Sequence, residues 1–296
     1  IDDEHSILSI AFGEKIPFES ATVVHAVGNS PNAAVAAARL GLSSALISNL
    51  GDDSDGKDAL AVLEAQGVDV GLVKTHQGKT TNNHYVLWYG DDRTILVKHE
   101  EYPYKFPEFT APKWLYLSSL GESTLDYHNE LLAYIILNSD VLLAFQPGTF
   151  QMKLGTTKLK EIYKHTKIFF CNVQEAEDIL GVKTLGIKEL IKRMHNLGPK
   201  IIVLTDGHNG VTVRTDGREY SAGVPDSPII ERTGAGDAFG SGFVCEFIRN
   251  GNIEKAIQFA TANASSVVTQ FGSKAGILKK GDWGPWPLVE VKQAAI

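Results

Sequence analysis

Cysteine is scarce in this sequence, with two residues, Cys171 and Cys245, among 296. Each lies in an apolar stretch, KIFFCN or GFVCEF, the setting of a buried thiol rather than of a bridge. A disulfide-stapled secreted fold is excluded, and a reducing cytoplasm is the expected compartment. Positive charge is also short: 28 Lys and Arg stand against 35 Asp and Glu, a formal net charge of −7. Polyanions are held by clustered Lys and Arg, so no nucleic-acid partner is expected. No apolar run approaches the about 20 residues of a membrane helix, and there is no basic-then-apolar leader, so no membrane partner is expected either. The nine His residues are scattered, which leaves no Cys/His metal cluster to read. Also missing are GxxxxGK[ST], the protein-kinase Gly-rich loop with its Lys, the GxSxG elbow and a GxGxxG turn after a first strand. Nucleotide chemistry here needs another device. Methionine occurs only at 152 and 194, and because the chain opens IDDEHSILS we expect the natural sequence to begin earlier.

What is present is a core: 43% of the residues are hydrophobic, enough for one α/β domain spanning 1–296. From residue 32 helices alternate with short apolar strands, the rhythm of a mostly parallel sheet. Asn32 is expected to cap AAVAAARL, and SALISNL reads as the following strand. GKDALAVLEAQG, LDYHNELLAYIIL and IKELIKRMHNLG have helical spacing. WLYLSS, DVLLAF, KIFFC and KIIVLT are nearly continuous in apolar residues, as strands covered on both faces must be. Two further helices, AFGSGFVCEFIRNG and NIEKAIQFATANASSVV, are expected to close at Gly251 and to be capped by Asn252. The tail is expected to pack as a final strand or arm. SILSIAFG with SATVVHAV, and NNHYVLWYGDDRTILVKHE, read as hairpins with one polar face, either edge decoration or a small standing-off sheet.

Four stretches carry chemistry. In ERTGAGDAF, Gly234, Ala235 and Gly236 let the backbone bend and leave N–H groups at a helix start, which favours an anion. Asp237 beside an anion suggests a base taking a proton from a nucleophile that attacks phosphate. Asp237 as a dipole-compensating residue of a Gly-rich helix start reads equally well. Asn172 and Glu175, after strand KIFFC, either hold hydrated Mg²⁺ or form a capping box. Thr205 ends strand KIIVLT, and Gly207 and Gly210 after it either admit a flat ring or phosphate or are turn residues. Asn29 and Asn32, in GNSPNAAVAAARLG, either read polyol hydroxyls or cap a helix.

In this order the four stretches resemble the PfkB, or ribokinase-like, family of carbohydrate and nucleoside kinases, from about Gly13 to about Leu278. TGAGDAF with the downstream AxxANASSVV is the most specific part; PNAAVAAARLG with GDDSDG, and Asn172-x-x-Glu175, match further elements. The resemblance implies a three-layer α/β/α sandwich with a mostly parallel central sheet. It also implies a small β-sheet lid, from segments about 6–27 and 80–100, that often mediates dimers. It implies ATP and Mg²⁺, and γ-phosphoryl transfer to a hydroxyl of a sugar-like substrate. A nucleoside kinase and a non-catalytic sugar- or nucleotide-binding regulator are the alternatives. By the same resemblance Asp237 is the general base, with the N–H groups of Gly234, Ala235 and Gly236 as the anion hole. Thr205, Gly207, Asn263 and Asn172 border ATP; Gly28, Asn29, Asn32 and lid residue Arg93 border the substrate; Glu175 serves Mg²⁺ through water. Glu231-Arg232-Thr233 departs from the family's usual Asp-Thr-Thr, so Glu231 stands where K⁺ would be held. Val27-Gly28 replaces a pair of glycines, and the family's opening strand with its substrate-gripping Asp has no counterpart, Asp2 and Asp3 lying close to where a remnant of it would end.

Overall fold

KIFFC and KIIVLT form neighbouring strands in the middle of the molecule because every one of their apolar side chains has a core to enter. The computed structural model describes residues 8–10, 12–89 and 92–296. In chain order the elements begin with α1 (Asn29–Arg39), β1 (Ser44–Ala45), β2 (Ser48–Gly51), α2 (Ser54–Ala65), β3 (Val68–Asp69) and β4 (Val73–His76). Next come β5 (Asn83–Tyr89), β6 (Asp92–Lys98), β7 (Trp114–Leu117), α3 (Leu125–Leu137), β8 (Leu142–Phe145), α4 (Thr149–Lys158), α5 (Lys160–His165) and β9 (Thr166–Asn172). The chain continues through α6 (Val173–Leu180), α7 (Ile187–His195), β10 (Ile201–Thr205), β11 (Val211–Arg214), β12 (Arg218–Ala222), α8 (Ala235–Asn250), α9 (Ile253–Val268) and β13 (Val291–Ala295).

Among the described residues the main sheet has seven strands in the order β13-β12-β11-β10-β9-β8-β7, parallel from β7 to β10 and antiparallel beyond. Side chains alternate across each strand, so one apolar run serves two layers. Phe169, Cys171, Ile202 and Leu204 enter a core with Leu131, Leu159, Leu190 and Met194 of the helices α3 to α7. Ile168, Phe170, Ile201 and Val203 enter the opposite core with Phe239, Phe243, Ile257 and Ala260 of α8 and α9. The fold is the three-layer α/β/α sandwich that the family resemblance implies. Both cysteines are buried, and burial pushes both thiols well up, Cys245 to about 12. The tail forms β13, paired antiparallel with β12.

Three local expectations are corrected. SALISNL is not one strand of the main sheet: it splits into β1 and β2, which form separate parallel pairs with β3 and β4. Its buried Leu46 packs with Val35, Leu63 and Val267, a helix-dominated cluster, so burial is satisfied without a long ladder. Asn32 does not cap α1, which starts three residues earlier at Asn29 with Gly28 as N-cap. Pro31 fits the first turn because its missing N–H has no intrahelical acceptor there. The hairpin expected from SILSIAFG and SATVVHAV is absent among the described residues, where 12–27 carry no strand; Ser6, Ile7 and Ala11 lie outside them. Phe12, Phe18 and Val23 are exposed, and alternation without a sheet face to cover specifies no strand. NNHYVLWYGDDRTILVKHE does form its hairpin, β5 with β6, as a separate two-stranded sheet.

Candidate active site

The parallel strands β7 to β10 run the same way, so the loops that follow them gather at one edge of the sheet, where open α/β folds bind ligands. Asn172 and Thr205, the last residues of β9 and β10, are ladder partners at this edge. The start of α8 closes the site from the next layer. Gly234 is its N-cap at φ 83, a left-handed conformation that glycine adopts without strain. A Cβ on Gly234 would lie 2.6 Å from Ser273 Cβ and 2.8 Å from the Ser273 carbonyl oxygen, so this turn exists only against that loop.

Asp237, in the first turn of α8, is 8% exposed. Asn29 Nδ2 donates to its Oδ1 at 2.9 Å and Asn32 Nδ2 donates to its Oδ2 at 2.8 Å. Two stretches read separately in the sequence, that of Asn29 and Asn32 and that of Asp237, thus meet. Burial raises the Asp237 pKa above the ordinary carboxylate value, and the bonds from Asn32 and Asn29 oppose that shift. The ionised carboxylate, which can only accept, sets both amide orientations, and each amide oxygen takes a serine hydroxyl: Ser119 Oγ donates to Asn29 Oδ1 at 2.7 Å, and Ser273 Oγ donates to Asn32 Oδ1 at 3.1 Å. A flipped amide would oppose an oxygen to the carboxylate. Two of a carboxylate's about four acceptor positions are used in this way, which leaves room for a hydroxyl.

The other expected residues are placed unevenly. Ala235 N donates to the Arg232 carbonyl at 3.3 Å, whereas Gly236 lies beside the Gln146 amide, 3.6 Å from where its Cβ would be. Gln146 accepts from the Tyr116 hydroxyl. Thr233 Oγ1 is buried with no hydrogen-bond partner among the described residues, one turn-residue before the helix start. An orphaned hydroxyl, helix N–H groups and a side-chain-free turn together suit a phosphate. Asn172 and Glu175 form the capping box: Glu175 N donates to Asn172 Oδ1 at 2.8 Å and Asn172 N donates to Glu175 Oε2 at 2.9 Å. Burial raises the Glu175 pKa, and the charges of Asp178 and Asp237 add to the rise. Among the described residues no three His, Cys, Asp or Glu side chains converge as a metal cage.

Gly207 opens the turn after β10 at φ 51, with nothing within 4 Å of a Cβ, an open approach for a ligand. Glu231 is buried, and its Oε2 accepts from Gly272 N at 2.7 Å, tying it to the loop that carries Ser273. Asn263 departs from expectation. It is 0% exposed, its Nδ2 donates to Ala238 O at 2.7 Å, and its Oδ1 accepts from Leu278 N at 2.9 Å. It is a fastener between α8, α9 and the tail, and it does not border a nucleotide. Asn263→Ala leaves two buried backbone groups unpaired, so we expect a stability loss of about 2–5 kcal/mol in urea titrations, with ATP affinity unchanged.

Arg93 faces Trp88 across the β5–β6 hairpin. The Trp88 ring meets Phe271 edge-on at 4.4 Å, and His99 meets Phe150 at 5.6 Å. Phe271 stands two residues before Ser273, the partner of Asn32, and Phe150 two after Gly148, which packs on Ser119. The hairpin therefore leans on both loops that orient the asparagines.

The sequence reading missed Ser119, Ser273, Gln146 and Lys274. Ser119, at the C-terminal end of WLYLSS, was findable by the strand-end rule; Ser273 has no local signal. Lys274 is 8% exposed and donates to the His25 and Ala26 carbonyls at 2.7 and 2.6 Å, fastening the chain that leads into Gly28. Burial first, then Arg39, lowers its pKa from 10.5 to about 8. The unfolded chain therefore holds the extra proton between about pH 8 and 10.5, so this group's contribution to stability rises with pH across that window. Against Lys274→Met, the wild type should gain relative stability from pH 8 to 10 in denaturant titrations; a constant difference would contradict the assignment.

Comparison with known proteins places the chain in a family. The pfkB family carbohydrate kinase profile matches residues 2–280. A ribokinase of Haemophilus influenzae is 28% identical over 267 residues, covering 84% of this chain and 83% of that protein. A cytidine kinase of Thermococcus kodakarensis is 29% identical over 262 residues, covering 83% and 87%. The solved structure of a ribokinase from Giardia lamblia superposes with a TM-score of 0.74 at 19% identity, over 91% of this chain and 90% of the other. With its family profile matched from end to end of the site, this chain belongs to the pfkB family of carbohydrate kinases.

Proposed function

We propose that the protein transfers the γ-phosphoryl group of ATP to a hydroxyl of a sugar or sugar-like acceptor, with Asp237 as general base. The observation that carries this reading is the Asp237 carboxylate held by Asn29 and Asn32 in the first turn behind the Gly234 bend. An acceptor hydroxyl bonded to Asp237 loses its proton to the carboxylate as its oxygen attacks the γ-phosphorus. The bond from that phosphorus to the bridging oxygen breaks, and ADP leaves. The N–H groups of Gly234 and Gly236 and the Thr233 hydroxyl would face the charge that spreads over the transferring oxygens, whereas the Ala235 N–H, expected to share this role, is taken by the Arg232 carbonyl. Asn172 and Glu175 would hold Mg²⁺ through water, and the ion would neutralise the phosphates. The hairpin carrying Trp88 and Arg93 acts as the lid that excludes water. Its pair Tyr85 and Leu96, 69% and 52% exposed, gives the same hairpin an apolar face for a second copy in a homodimer.

A nucleoside acceptor is the second reading, favoured by the similarity to a cytidine kinase. ADP formation from Mg·ATP, measured over a panel of sugars, sugar acids and nucleosides, separates the two. Turnover confined to one class names the substrate. ATP binding without turnover on any acceptor would replace the kinase with a binding regulator.

A further inference from the structure

We infer that His128 is a positioning residue for the Asp237 carboxylate: as a neutral imidazole carrying its proton on Nδ1, it locks the loops after β7 and β8 so that Ser119 orients Asn29. The structural part stands on its own, and its consequence for catalysis rests on the kinase reading.

His128 lies on α3 and is 1% exposed. Its Nδ1 is 2.6 Å from the Thr124 carbonyl oxygen, which can only accept, so Nδ1 carries the proton. Nε2 is then an acceptor, and Gln151 Nε2 donates to it at 3.1 Å. That sets the Gln151 amide: its Oε1 faces Gly148 and accepts from Gly148 N at 2.8 Å. Gln151 is also 1% exposed, so neither side chain has water as an alternative partner.

The two ends of this link hold the two loops that shape the site. Thr124 closes the loop after β7, its hydroxyl donating to Gly121 O at 3.1 Å, and Ser119 is in that loop. Gly148 opens α4 after β8, and a Cβ there would intrude on the Ser119 side chain and lie 3.0 Å from Ser119 Cα. The Gly148 backbone is thus the surface on which Ser119 rests. Ser119 Oγ donates to Asn29 Oδ1 and so holds in place the side chain whose Nδ2 donates to Asp237. Every link from His128 to the carboxylate is a hydrogen bond or a backbone contact.

Protonation would break the series. With both ring nitrogens donating, Gln151 must turn its Oε1 to His128 and its NH₂ to Gly148 N–H, donor against donor. Burial lowers the His128 pKa, which keeps the ring neutral at ordinary pH. The charged or titratable residues of the elements around it are Glu122 in the loop, Asp126 and Glu130 on α3, Lys153 and Lys158 on α4, and Lys160, the Glu161–Lys164 pair and His165 on α5. All are exposed, and none is a partner for an imidazolium among the described residues.

Kinetics of Gln151→Leu and Gln151→Glu test the assignment. Gln151→Leu should fold, keep KM for ATP within twofold and lose at least tenfold in kcat. In Gln151→Glu one carboxylate oxygen accepts from Gly148 N–H and the other from protonated His128, so activity should return with its optimum moved to lower pH. A Gln151→Leu enzyme with kcat within twofold of wild type would overturn the assignment, as would Gln151→Glu with an unmoved optimum. If Gln151→Leu does not fold, or wild type turns over no acceptor, ¹⁵N NMR of the wild-type imidazoles decides. An Nδ1–H tautomer persisting at pH 5 supports the link; an Nε2–H tautomer or titration at the ordinary histidine value overturns it.

Discussion

Asp237→Asn is expected to slow phosphoryl transfer by about 10²–10⁴-fold, the range that a general base contributes, while ATP affinity stays near that of wild type. The substitution removes the proton acceptor without changing size. It also sets an NH₂ group against one of the two amide donors, because both Asn29 Nδ2 and Asn32 Nδ2 point at this side chain. Their amide oxygens accept from the Ser119 and Ser273 hydroxyls, which can also accept, so one asparagine can turn over to meet the new amide and the main loss is the proton acceptor. In the proposed mechanism other groups, including the N–H groups at the start of α8 and the turn at Gly207, would hold the nucleotide, so its affinity is not expected to depend on the carboxylate charge. A pH series sharpens the test. Burial raises the Asp237 pKa, and the base works only when ionised, so wild-type activity should fall as pH drops through that raised value. Asp237→Asn should lose this acid limb. Retention of wild-type rate in the variant would remove Asp237 from the role of base.

Gly234→Ala is expected to cost about 2–5 kcal/mol of stability, combining left-handed strain with overpacking, and to abolish transfer in whatever protein remains folded. The atoms a methyl group would meet are Ser273 Cβ at 2.6 Å and Ser273 Cα and O at 2.8 Å. Those include backbone, which cannot swing aside. Ser273 is bonded to Asn32, and Asn32 to Asp237, so pushing the loop away also misplaces the carboxylate proposed as the base. Gly236→Ala is the internal control. Its Cβ would meet only Gln146 Nε2 at 3.6 Å, an ordinary contact, and its backbone is helical. Thermal melts should therefore separate the two substitutions by several degrees. Equal melting temperatures would show that the Ser273 loop is free to move and that the bend is not held as described.

The sandwich was legible because KIFFC and KIIVLT are apolar at successive positions, and a strand of that kind needs a layer on each side. SALISNL looked the same over a shorter span, but its strand partners, Val68–Asp69 and Val73–His76, lie beyond a helix, and periodicity does not name a partner. The hairpin at 83–98 had polar turn residues and alternation together, whereas SILSIAFG and SATVVHAV had alternation without a covered face. At the site, small residues before a carboxylate pointed to the start of α8 because that pattern is local. Asn32 was read as a cap for the same reason, although its amide is committed to a carboxylate 205 residues away. Ser119 and Ser273 are single hydroxyls whose importance arises only when two loops meet. Asn263 shows the converse: a motif position that borders the nucleotide by resemblance is here wholly occupied with holding two helices and the tail together.

The most direct test of the account is a single-turnover measurement. Wild type and Asp237→Asn, loaded with Mg·ATP to equal occupancy, are mixed with a saturating acceptor from the panel, and phosphorylated acceptor is quantified over time. The account predicts acceptor-dependent transfer of the γ-phosphoryl group in wild type and transfer at least about 100-fold slower in the variant, the lower bound for loss of a general base. Equal rates in the two proteins, or no phosphorylated acceptor from wild type with any compound, would contradict it.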